Sequence, residues 1–218
     1  MDVNLFKTQL KDLPYLDKVK LSQILKKEGE NLNYWIKKLL LNKTLITLKK
    51  GLYTSSFFLL TLEANPFEKE KYCEYLANLL RYPSYISLEY LLSKYGLIPE
   101  AVFAITSVTL KSSRTFSNPL GNFTYRKIKP EYFNNFQSTD FKDKKVYLAT
   151  PAKALFDFFY FKKFLSGQDM LWQLTEGFRI NWDNLDLKNK KDLENILINS
   201  KSPKMKKILK ILKREKIL

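Results

Sequence analysis

Histidine is absent from the 218 residues, and cysteine occurs once, at position 73. Together these absences remove a Ser-His-Asp or Cys-His nucleophile system and the usual His/Cys zinc sites. No metal and no other cofactor is expected. A disulfide within the chain is impossible, which fits a reducing compartment. Glycine is scarce, at six residues, and there is no Gly-rich phosphate loop and no Gly-x-Ser-x-Gly elbow. The longest apolar runs, at 57–62 and 154–161, are far too short to span a bilayer. Charge also interrupts the N-terminal segment MDVNLFKTQLKDL repeatedly, unlike a signal peptide. A cytoplasmic protein without a membrane partner is expected.

What the chain has in excess is positive charge. There are 38 Lys+Arg against 22 Asp+Glu, a formal +16, alongside 45% apolar and 15% aromatic residues. That apolar content is enough for a packed core and argues against wholesale disorder. The surplus calls for a polyanionic partner, and nucleic acid is the commonest one. A membrane surface or an acidic protein are the other candidates. Residues 1–56 hold 11 basic and 5 acidic side chains, and residues 57–100 hold 4 and 6. Residues 101–150 hold 8 and 3, and residues 151–218 hold 15 and 8. Two basic regions thus flank a mildly acidic stretch. The turn signal Asn65-Pro66 sets the expected division, a first domain over 1–64 and a second over 65–218.

In the first segment, Leu5, Phe6, Leu10 and Leu13 predict a short helix ended by Pro14. Val19, Leu21, Ile24 and Leu25 predict a second, with Gly29 as its stop. A third is expected over about 30–41. Its apolar face is Leu32, Trp35, Ile36, Leu39 and Leu40, and its opposite face carries Asn33, Tyr34, Lys37 and Lys38. Two short strands, 45–48 and 52–54, then flank the turn Lys49-Lys50-Gly51. Three helices followed by a basic-tipped hairpin describe a winged helix-turn-helix. In that arrangement Asn33, Tyr34, Lys37 and Lys38 would enter the major groove of double-stranded DNA, and Lys49 and Lys50 would hold the flanking backbone. Modules of this shape also serve as protein–protein adaptors, and that alternative stays open.

Further along come Tyr85-Ile86-Ser87-Leu88-Glu89, Gly96-Leu97-Ile98-Pro99-Glu100 and Thr106-Ser107-Val108-Thr109. Arg114-Thr115-Phe116, Pro119-Leu120-Gly121, Tyr125 and Ala149-Thr150-Pro151-Ala152-Lys153-Ala154-Leu155-Phe156-Asp157 follow. In order and spacing these pieces resemble the AbiEi family of antitoxins from type IV toxin–antitoxin systems, whose members also carry an N-terminal winged helix. The resemblance covers roughly residues 15–160. It implies an antitoxin that opposes a nucleotidyltransferase-like toxin and represses its own operon at an operator with inverted repeats. It also implies that a basic face of the second domain takes part in antitoxin activity and DNA contact. Lys111, Arg114, Arg126, Lys127 and Lys129 are the candidates for that face. A winged-helix transcriptional regulator without a cognate toxin is the alternative.

Read without the family, the second segment predicts a mixed α and β domain. A helix opened by Ser87-Leu88-Glu89 and running to Tyr95, with Gly96 as its stop, is followed by a buried strand over 102–110. A hairpin over 116–128 and an apolar helix over 151–161, with Thr150 as its N-cap, complete it. Arg114 would share a strand face with Phe116, and Arg126 with Ile128. The expected class is α+β, ending in a basic helical tail over 201–218 with eight basic residues and one acid. There Met205, Ile208, Leu209 and Leu212 fall on one helical face, and Lys206, Lys207, Lys210, Lys213 and Arg214 on the other. Such a helix closes a core, lies on nucleic acid, lies on a membrane or grips an acidic partner. Three loose Asp-x-Lys tripeptides, at 140–142, 143–145 and 186–188, are the only nuclease-like feature. Two of them are expected in a loop-like run, and no catalysis is expected.

Overall fold

The computed structural model describes residues 3–164 and 168–218. The chain is a mixed α+β protein that forms two compact units, one of residues 1–76 with 116–122 and the other of residues 77–115 with 123–218. Among the described residues there are ten α-helices, a three-stranded antiparallel sheet and a six-stranded mixed sheet.

The N-terminal part runs α1 (Val3–Lys11), β1 (Leu16–Asp17), α2 (Lys18–Leu25), α3 (Gly29–Leu41), β2 (Leu45–Lys49), β3 (Leu52–Ser55), α4 (Ser56–Glu63) and α5 (Pro66–Leu80). Its sheet order is β1-β3-β2, antiparallel throughout. Leu10, Leu16, Leu21, Leu25, Leu32, Ile36, Leu39, Leu45 and Tyr53 form its buried core. The Asp17 carboxylate caps α2 by accepting the Lys20 N–H at 2.9 Å. The stop of α2 is Lys26, in the left-handed region at φ 52°, where its N–H donates to the Ser22 carbonyl. Gly29, expected to play that part, instead opens α3. Val19 is also displaced from its expected role, since it is 66% exposed. Gly51, at φ +76°, makes the tight turn between β2 and β3 without a Cβ penalty.

From residue 84 onward come β4 (Ser84–Ile86), α6 (Glu89–Lys94), β5 (Ile105–Thr109), β6 (Arg114–Asn118), β7 (Gly121–Lys127), β8 (Phe136–Phe141) and β9 (Lys144–Ala149). Then follow α7 (Pro151–Phe161), α8 (Gln168–Trp172), α9 (Leu187–Ile198) and α10 (Pro203–Arg214). The sheet order is β6-β7-β5-β4-β9-β8. β4 is antiparallel to β5 and parallel to β9, while β5 is parallel to β7. Thr150 caps α7 as its sequence predicts, accepting the Lys153 N–H at 3.2 Å. Residues 140–145, expected to be loop-like, instead belong to the β8–β9 hairpin. There Asp140 and Lys145 face each other and pair at 2.9 Å, both well exposed. The Asp-x-Lys spacing at that place is thus a hairpin's cross-strand pattern. No helix among the described residues is long and apolar enough to cross a membrane.

Candidate nucleic-acid interface

Amphipathic spacing along α3 determines what it shows to solvent. Leu32, Ile36 and Leu39 are buried and Trp35 and Leu40 half-buried, which leaves Asn33, Tyr34, Lys37 and Lys38 exposed together. Tyr34 is 61% exposed and stands edge-on to the Trp35 ring. The Lys38 ammonium lies 4.9 Å from the centre of that same ring. Lys18 on α2 donates from Nζ to Asn33 Oδ1 at 3.0 Å. This bond holds the amide by its acceptor end and leaves the two Nδ2 hydrogens to a partner. Periodicity does not reveal this bond, because Lys18 lies on a different helix.

The β2–β3 hairpin exposes Lys50 at its tip, while Lys49 is half-buried. Asn118 Nδ2 donates to the Leu48 carbonyl at 3.1 Å, seventy residues away in sequence. The hairpin is therefore tied by a side chain from the middle of the chain. No local sequence signal could have announced that bond.

The five basic residues expected on the second unit do not form one continuous face. Arg114 and Arg126 line a common shallow depression of about 430 Å³, with Ser113, Thr124 and Phe161 around them. The Arg126 guanidinium sits 5.6 Å from the centre of the Phe161 ring. Lys127 follows Arg126 on β7 and so points to the opposite side of the sheet. Lys111 and Lys129 lie beyond the strand ends, both exposed.

Within α7 the structure holds a cluster that sequence analysis missed. Lys153 and Asp157 are both fully buried and pair at 2.7 Å one helical turn apart. Asp157 Oδ2 also accepts from Ser87 Oγ at 2.7 Å and from Tyr85 OH at 3.0 Å. Lys153 Nζ donates in addition to the Tyr132 carbonyl at 2.6 Å. Burial pushes Lys153 below and Asp157 above their ordinary ranges, each opposed by the charge of the other. Tyr85, Ser87, Lys153 and Asp157 are all fully buried, and their bonds fasten α7 to β4 and the residue that follows it. The available signal was Lys-x-x-x-Asp inside an otherwise apolar helix, a spacing that puts both charges on one buried face.

No protein-family model and no curated protein matches the chain. Among the described residues, no group of three or more Cys, Asp or Glu side chains is placed to hold a metal ion.

Proposed function

We propose that the chain is a DNA-binding antitoxin that represses its own operon, with a winged helix-turn-helix reading an operator that contains inverted repeats. The reading is supported first by one observation. α3 follows α2 across a three-residue turn and exposes Asn33, Tyr34, Lys37 and Lys38 as a single polar face beside a basic hairpin. A helix of this width fits the major groove, and Asn, Tyr and Lys reach base edges and phosphates there. In this reading Lys49 and Lys50 hold the adjacent backbone. The antitoxin part of the proposal rests on the resemblance carried by residues 82–157, including Arg114 and Arg126. It assigns the second unit to opposing a nucleotidyltransferase-like toxin.

Binding of the full chain to its own upstream DNA and to a scrambled duplex of equal length tests the first part. Preference for the native fragment near physiological salt is expected, and Lys37→Ala should reduce it by about 1–3 kcal/mol if Lys37 contacts a base. Equal binding to both duplexes, lost steeply with salt, would remove the repressor reading. Co-expression with the nucleotidyltransferase-like reading frame from the same operon tests the second part. Growth should be rescued by the wild-type chain and equally by the Lys37→Ala variant.

A further inference from the structure

The twelve residues of α10 include five lysines and one arginine and no acid. The helix α9, also twelve residues long, mixes three lysines with Asp192 and Glu194. Folding alone does not explain the difference. Lys206 and Lys210, Lys210 and Arg214, and Lys207 and Lys210 are like-charge neighbours at helical spacings that repel. Lys213 and Arg214 have internal reasons to be where they are. They lie in the last turn, where the helix dipole favours cations, and they pair with Glu194 at 2.5 Å and Glu215 at 2.9 Å. Lys206, Lys207 and Lys210 are exposed, lie outside that turn, and form no ion pair among the described residues.

The rest of α10 is already committed. Met205, Ile208 and Leu212 are fully buried. Lys204 Nζ donates to the carbonyls of Tyr160 and Lys162 at 2.6 and 3.0 Å, pinning the start of the helix. An interfacial helix must offer its apolar side to lipid, and here that side is occupied. A protein interface needs apolar or aromatic anchors at its centre, and the outward face of α10 has none. What is presented is a lysine row, Lys206 and Lys210, about 6 Å apart along the helix axis with Lys207 beside them. That step is on the scale of the separation between successive phosphates in a nucleic-acid strand.

We infer that the outward face of α10 is a sequence-independent contact surface for the phosphate backbone of nucleic acid. It is separate from the base-reading role proposed for α3 and supplies affinity without specificity. The test is a salt titration of the full chain on a random-sequence duplex, comparing wild type with Lys206→Gln/Lys207→Gln/Lys210→Gln and with the corresponding triple Arg variant. Release of three phosphate contacts makes the slope of log K against log salt shallower by about 2.7 in the Gln variant. The Arg variant keeps the wild-type slope. Any preference for the upstream fragment over random duplex is unchanged by the Gln substitutions, whereas Lys37→Ala alters that preference and not the α10 contribution. An unchanged slope in the Gln variant overturns the inference. So does a loss confined to phosphatidylserine vesicles with duplex binding intact, which would make the face a membrane contact.

Discussion

Replacing Lys153 by Met keeps the length of the side chain and removes its charge. The Asp157 carboxylate then stays fully buried with two neutral donors, Tyr85 OH and Ser87 Oγ, and the Tyr132 carbonyl loses its Nζ–H partner. Removing one member of a buried ion pair costs about 3–5 kcal/mol, a large share of the roughly 5–15 kcal/mol that holds a domain folded. At about 2–4 °C per kcal/mol for a chain of this size, the melting temperature falls by about 6–20 °C. Urea titration read by circular dichroism gives the loss directly. The pH dependence identifies its cause. Burial already raises the Asp157 pKa, and Lys153 is the largest influence opposing that rise, so its removal raises the carboxyl further. Such a group binds its proton more tightly folded than unfolded. The native state therefore gains as pH falls from 7 toward the unfolded carboxyl value of about 3.9. The deficit of Lys153→Met shrinks on acidification, and Lys153→Met/Asp157→Leu recovers at least half of it at pH 7. A single variant within 1 kcal/mol of wild type at pH 7, or a deficit independent of pH, would refute the reasoning.

Other expectations follow from single residues. Thr150→Ala removes the cap of α7 and lowers stability by about 1 kcal/mol, read from the urea midpoint at constant m-value. Gly51→Ala places a Cβ at φ +76° and costs about 1–2 kcal/mol, with the loss confined to hydrogen-exchange protection of the β2–β3 hairpin. Burial raises the Cys73 thiol to about 11. Its reaction with a disulfide reagent at pH 8 should be about two orders of magnitude slower than that of a free thiol of pKa about 8.5. The rate should climb about tenfold per pH unit until near 11, and a rate equal to that of free cysteine at pH 8 would contradict the burial.

The parts of this fold that were legible in sequence are those governed by local rules. The apolar spacing of α3, the hairpin signalled by Lys49-Lys50-Gly51, and the Thr150-Pro151 start of α7 all depend on neighbours within a turn or two. Gly96, at φ +66°, follows α6 for the same local reason. Misreadings arose where a residue acted against its habit. Lys26 adopts the left-handed conformation usually left to glycine, and Val19 is spent on the surface. The β8–β9 hairpin hid behind its own polarity. Gln137, Ser138, Thr139 and Asp140 are all exposed, so β8 has no apolar alternation to betray a strand. The start of α4 depends on Ser55, whose hydroxyl accepts from Phe58 N–H and donates to the Leu10 carbonyl, each at 3.0 Å, and the second of these bonds spans forty-five residues. Within the candidate site, exposure of Asn33, Tyr34, Lys37 and Lys38 was legible from the helical period. The tethering of Asn33 by Lys18 and of Leu48 by Asn118 was not, since each pairs residues brought together only by tertiary structure.

The tie between Leu48 and Asn118 also bears on how the chain is made. Residues 116–122 belong to the same compact unit as residues 1–76, and the Cys73 thiol likewise points at the Leu120 carbonyl, 4.0 Å away. A ribosome adding about 5–20 residues per second needs several seconds to travel the seventy positions from Leu48 to Asn118. Throughout that interval the Leu48 carbonyl is without the Asn118 donor, while 77–115, which belong to the other unit, are already emerging. Assembly of the first unit is thus not finished when its first 76 residues have left the tunnel; it closes retroactively, on a segment translated after part of its neighbour.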